Sequence, residues 1–106
     1  MLRRQIRNRK QKSVLESRVV RLTKAAAKKA GYLHRKIKYD GRNGAPDDFF
    51  FGYEGDLIII EFKKPGGVPE DHQGLELSRM RKRGFNVYVI DNEIDGVRLF
   101  EGRSQW

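Results

Sequence analysis

A few polar side chains in this 106-residue sequence stand where an apolar residue or a strand end is expected. Asp47 follows Pro46 at the head of the Phe49-Phe50-Phe51 run. Glu61 and Lys63 close the apolar run Leu57-Ile58-Ile59-Ile60. At i and i+2 on a strand they point to one face, while Phe62 points to the other. Gln73 heads a row with Leu77, Met80 and Gly84 in a later helical stretch, and Glu16 lies beside the apolar stripe of an earlier one. Buried carboxylates are costly unless they meet cations or a metal. Two carboxylates from neighbouring strands with a third from a helix form an all-oxygen donor set suited to Mg²⁺ or Mn²⁺. A lysine on the same face as Glu61 can orient or deprotonate a water and stabilise charge developing on phosphorus. Phosphodiester hydrolysis needs this combination: a metal, an activated water and a cation near the transition state.

Each residue also has a plainer use. Glu16 stands three residues after Ser13, the spacing of a capping box. Asp47 can be a turn acid. Glu61 and Lys63 can be a surface ion pair of little energetic weight, although the apolar run before them argues for burial. Gln73 can be a polar residue at a helix start with no further role. Lys64 points away from Lys63 and reads as a phosphate contact or a solvated charge. His34 and His72 have no metal-binding partner at helical spacing, which leaves a histidine-metal nuclease without support. Gly66-Gly67 lacks the Lys-Ser/Thr of a phosphate loop and reads as a turn. The three consecutive phenylalanines read as core.

The elements that must position these residues are legible in outline. A helix is expected from Ser13, carrying Leu15, Val19, Leu22, Ala26 and Ala30 as one stripe and stopping at Gly31. Tyr32 to Tyr39 alternates as a strand, with Leu33, Ile37 and Tyr39 on its drier face, and Asp40 to Gly44 is turn chemistry. Asp48–Phe51 and Leu57–Lys63 read as two further strands, the second apolar on both faces like a central strand. After Pro65-Gly66-Gly67 a helix is expected with Pro69 at its first position, running to about Arg83 and stopping at Gly84. Val87–Ile90 reads as another strand, and Val97–Phe100 as a short edge strand. This order predicts an α/β fold: a central mixed sheet flanked by helices on each face. It forms one domain over 13–106, preceded by a basic tail at 1–12.

E-x-K alone is a weak signal, since roughly 0.4 such triplets arise by chance at this length. The combination is far more specific. Glu16, Gly44-Ala45-Pro46-Asp47, Ile60-Glu61-Phe62-Lys63-Lys64-Pro65-Gly66-Gly67, Gln73 and Gly84-x-x-Val87 together resemble the virus-type replication-repair nuclease (VRR-NUC) family of the PD-(D/E)xK superfamily. The resemblance covers the chain from Glu16 to about Ile90. It implies a restriction-endonuclease-like core in which Glu16, Asp47 and Glu61, with the backbone carbonyl of Phe62, bind Mg²⁺ or Mn²⁺. Lys63 then activates the attacking water, and Gln73 orients Lys63 or the water. It further implies an endonuclease that acts as a homodimer on branched DNA such as Holliday junctions. One departure is visible: the family often has a basic residue after Pro-Asp, and here it is Asp48. Whether Asp48 faces solvent or lends a further carboxylate stays open.

The formal charge of +9 is unevenly spread. Residues 1–38 hold fourteen Lys and Arg against one acid, Glu16; residues 39–106 hold nine against thirteen acids. Such a cationic arm is suited to a polyanion, and nucleic acid is the commonest one. Arg3, Arg4, Arg7, Arg9, Lys10, Lys12 and Lys64 are the expected phosphate contacts. The absence of cysteine excludes disulfides and thiolate metal sites. No apolar run approaches the roughly 18 residues of a membrane span. No apolar signal core follows the basic start, so a cytoplasmic location in a bacterial or phage-infected cell is expected. No small-molecule cofactor or membrane partner is expected. A non-catalytic basic DNA-binding module is the competing reading. An RNA-binding or ribosome-associated protein fits the tail but not the carboxylates.

Overall fold

The computed structural model describes residues 17–42 and 44–106. The expected basic tail with its arginines and lysines (Arg3, Arg4, Arg7, Arg9, Lys10, Lys12), the Ser13 cap and Glu16 lie outside the described residues. Within them the order is α1 (described over 17–29), β1 (Leu33–Lys36), β2 (Asp48–Phe51), β3 (Leu57–Phe62), α2 (Asp71–Lys82), β4 (Asn86–Ile90) and α3 (Glu93–Phe100). The strands form one sheet in the order β1-β2-β3-β4. The first three pair antiparallel, and β4 joins β3 in parallel through the α2 crossover. A parallel neighbour needs such a crossover, because a hairpin cannot return the chain in the same direction.

Both faces of the sheet are covered, as the apolar run Leu57–Ile60 of β3 requires. One face carries Phe50, Ile58, Ile60 and Ile90 packed with Val19, Ala27 and Ala30 near α1 and with Phe100 of α3. The other carries Ile59 and Val87 against Leu77 of α2, with Phe49, Leu57, Met80 and Val89 around them. Glu61 and Lys63, odd-numbered like Ile59, belong to the α2 face.

Four expectations needed correction. Val97–Phe100 is not an edge strand but the second half of α3. Asn92 caps that helix by accepting from the Asp95 backbone N–H at 2.8 Å. Gly96 and Phe100, four apart, are its buried positions. The apolar alternation of Val97 and Leu99 concealed this start signal. The strand expected from Tyr32 to Tyr39 is regular only from Leu33 to Lys36, and there the alternation is inverted, while Ile37 and Tyr39 beyond it are half-buried as expected. His34 faces inward opposite Phe50, while Leu33 is 50% exposed. On α1 the fully buried positions are Val19, Thr23 and Ala27, so Leu22 and Ala26 flank the row instead of forming it. Thr23 wins its place because a small side chain is needed there. A methyl group added at Gly96 would overlap Thr23 Oγ1.

The helix expected to begin at Pro69 begins two residues later, with Glu70 as its N-cap. The end is as expected: Arg83 caps α2, and Gly84 takes φ +88°, a conformation that favours glycine. Among the described residues no helix is long and apolar enough to cross a membrane.

Candidate active site

The thirteen residues between Asp47 and Glu61 are a hairpin measured along the chain. Asp48 pairs with Ile60 in the antiparallel β2–β3 ladder. One step further, Asp47 lies opposite Glu61. Opposed residues of an antiparallel pair share a face, with Cβ atoms about 4.5–5.5 Å apart. Pro46 is buried and anchors the approach to this step, while the Asp47 backbone carbonyl accepts from the Ile37 N–H at 2.8 Å. β1 is thereby held beside the site.

Lys63 Nζ stands 3.4 Å from Glu61 Oε1 and donates to Gln73 Oε1 at 2.8 Å. The Gln73 oxygen also accepts from the Glu70 backbone N–H at 3.0 Å. The two uses weighed for Gln73 are therefore one: the atom that caps α2 also holds the lysine. This explains the late helix start, since Glu70 must be the residue whose N–H the amide reaches. Gly44, at φ +76°, brings the loop before Asp47 against the head of α2. A Cβ there would sit 2.7 Å from both Gln73 Cγ and His72 Cδ2. Arg42 Nη2 reinforces the contact by donating to Glu76 Oε1 at 2.9 Å.

The electrostatics are those of crowded acids. Burial pushes the Glu61 carboxyl above its ordinary value; Lys63 opposes the shift, and the charges of Asp47 and Asp48 add to it. The Glu61 side chain is 13% exposed and that of Asp47 50%. Lys36 Nζ lies 3.6 Å from Asp47 Oδ2 and 4.0 Å from Asp48 Oδ2. Asp48, whose role the sequence left open, points into the α1–α3 face and is buried there. Its Oδ1 lies 2.7 Å from His34 Nε2. Burial raises its pKa, against the hydrogen bond from His34 and the charge of Lys36.

No family model matches the sequence. The chain is 33% identical over 66 residues to "Putative nuclease p44" of Acyrthosiphon pisum secondary endosymbiont phage 1, covering 62% of this chain and 71% of that protein. A solved structure described as a VRR_NUC domain superposes with a TM-score of 0.75 at 37% identity. The match covers 81% of this chain and 94% of that one.

The chain belongs to the VRR-NUC family.

Its sheet with helices on both faces is the restriction-endonuclease-like fold of VRR-NUC domains. The donors at the site suit the divalent cation of such nucleases: carboxylate oxygens, one of them desolvated and raised by like charge that a cation would relieve. Among the described residues no group of three His, Cys, Asp or Glu side chains could hold a metal ion. Asp47 and Glu61 are the two carboxylates that the β2–β3 register brings together at this step. Mg²⁺ characteristically takes one or two carboxylates and completes its shell with water and phosphate. Lys64 is exposed next to Lys63. The Asp48–His34 pair was missed in the sequence because the two residues lie on different strands, at a spacing that only the β1–β2 register converts into contact.

Proposed function

We propose that this VRR-NUC protein is a Mg²⁺- or Mn²⁺-dependent endodeoxyribonuclease that hydrolyses phosphodiester bonds in branched DNA, such as Holliday junctions. The observation that carries the reading is the Asp47–Glu61–Lys63–Gln73 cluster, with a lysine held between a carboxylate and an amide at 3.4 and 2.8 Å. The names of the phage relative and of the matched domain point the same way. Asp47, Glu61 and the Phe62 carbonyl would hold the metal, with Glu16 as a further ligand directly or through water. The metal, when bound, polarises the phosphate and lowers the pKa of a water.

The chain's own residues do the rest. An ammonium has three donors, so with Gln73 and Glu61 engaged, Lys63 keeps one N–H for the attacking water or for charge developing on phosphorus. Gln73 fixes that direction and keeps Lys63 from collapsing fully onto Glu61. Arg3, Arg4, Arg7, Arg9, Lys10, Lys12 and Lys64 add affinity for phosphates. A two-fold homodimer matches the approximate symmetry of a junction. The protein acts in the cytoplasm of a bacterial or phage-infected cell.

Incubation with four-way-junction, flap and linear duplex DNA in Mg²⁺, Mn²⁺ or EDTA tests the reading. Cleavage is expected with either metal and none in EDTA, with the junction preferred. Lys63→Ala is expected to abolish cutting and to leave DNA binding largely intact. Binding without cleavage under every metal condition would establish the non-catalytic DNA-binding module instead.

A further inference from the structure

At the far end of β2 from Asp47, about 13 Å away at the rise of a strand, an open groove of about 800 Å³ runs between the start of β1, the end of β2 and the C-terminal segment. Its floor is apolar and uncovered: Leu33 is 50% exposed, Phe51 37%, Tyr53 62% and Trp106 82%. Exposed apolar groups gathered this way mark a binding surface more often than chance. Trp106 is held in place. Its indole Nε1–H donates to the Lys29 carbonyl at 2.9 Å, and its ring lies over Gly31, where a Cβ would come within 3.2 Å. Gln105 fastens the same segment to the β2–β3 turn, accepting from the Tyr53 N–H at 2.7 Å and donating to Asp56 at 3.1 Å. An exposed aromatic ring fixed by hydrogen bonds is a platform.

The charged residues lining the groove are all basic. Lys24 and Lys28 stand one turn apart on α1 and Arg35 lies on β1; no carboxylate lines the groove among the described residues. We infer that this groove binds single-stranded DNA, with unstacked bases on Trp106 and Tyr53 and the backbone phosphates on Lys24, Lys28 and Arg35. Aromatic platforms beside a cationic track are how proteins hold single strands, and such stacking tolerates any base. A second copy of the chain across a two-fold axis would set this cationic rim against itself, which favours the polyanion. The choice of DNA over another single-stranded polyanion rests on the nuclease reading. The groove then holds a strand unpaired at the branch point while duplex lies at Asp47 and Glu61.

The test is made in EDTA, so that its result does not depend on cleavage. Trp106 is the sole tryptophan, and its fluorescence reports the groove directly. A short oligo(dT) is expected to quench it and to bind about tenfold or more tighter than an abasic oligomer of equal charge. Tyr53→Ala is expected to erase most of that difference while the thermal melt stays that of the parent. Lys28→Ala is expected to keep the quenching and to lower the salt slope by about 0.7. Equal binding of oligo(dT) and abasic DNA without quenching overturns the proposal. So does tighter binding of oligo(rU), quenching by anionic lipid vesicles in place of oligo(dT), or a dimer that Tyr53→Ala dissociates with oligo(dT) binding intact.

Discussion

Glu61 is the residue on which chemistry and stability pull in opposite directions. Its carboxyl is raised above the ordinary 4.5 by burial, with Asp47 and Asp48 adding to the shift. A raised folded-state pKa means that the folded chain takes up the proton before the unfolded chain does. Stability therefore falls as pH rises through the window from the ordinary value to the raised one. Metal-free Glu61→Gln is expected to be more stable than the parent at neutral pH, with an advantage that shrinks as pH falls through that window. Denaturant melts at several pH values measure it. A constant difference across pH would show that the carboxylate carries no such penalty. The same substitution removes a proposed ligand, so Mg²⁺ should stabilise it less than the parent. Lys63 and Glu61 were readable as same-face partners from strand period alone. Asp48 was not, because its partner His34 comes from another strand.

Two glycines separate what the elements do for the site from what they do for the fold. Gly44 lets the loop before β2 press on the head of α2, where Gln73 holds Lys63. Gly96 lets α3 close on Thr23 of α1 on the opposite face. Gly44→Ala forces a side chain into the left-handed region, at a cost of roughly 1–2 kcal/mol, and displaces Gln73 or the loop. Its main expected effect is a reduced rate of cleavage per folded molecule. Gly96→Ala gains helix propensity but overpacks the interface, and a net loss of about 1–2 kcal/mol is expected, with cleavage per folded molecule spared. Thermal melts beside cleavage rates give both numbers; the reverse pattern would show that the two contacts have been assigned the wrong roles. Helix α3 illustrates why a short element is hard to read. Val97-Arg98-Leu99-Phe100 alternates like a strand, and the deciding signal is one capping bond between Asn92 and Asp95.

Over the whole molecule, charge is divided between a cationic first third and an acidic remainder that contains Asp47 and Glu61. Under the proposed function, gathering a polyanion and holding a divalent cation are opposite electrostatic tasks, and this division would separate them along the chain. Residues 1–12 carry six of the twenty-three basic side chains. Their removal is expected to weaken DNA binding and flatten its dependence on salt, with single-turnover cleavage at saturating protein little changed. Each lost phosphate contact should lower the slope by about 0.9 on duplex DNA. An unchanged slope would show that the tail does not touch phosphate.

The sequence by itself determined the sheet's central strand, the glycine stop of α2 and the same-face pairing of Glu61 with Lys63. Each of these depends on local period or on hairpin length, quantities that count along the chain. The tertiary structure decided which way β1 faces, that α3 is a helix, that Thr23 rather than Leu22 is buried, and that Gln73 serves helix and lysine with one oxygen. It also placed Trp106, Tyr53 and Lys28 around one groove, although more than fifty residues separate the first two. These depend on which surfaces meet. Packing sets that by volume and register between distant segments, and no count along a single chain contains it.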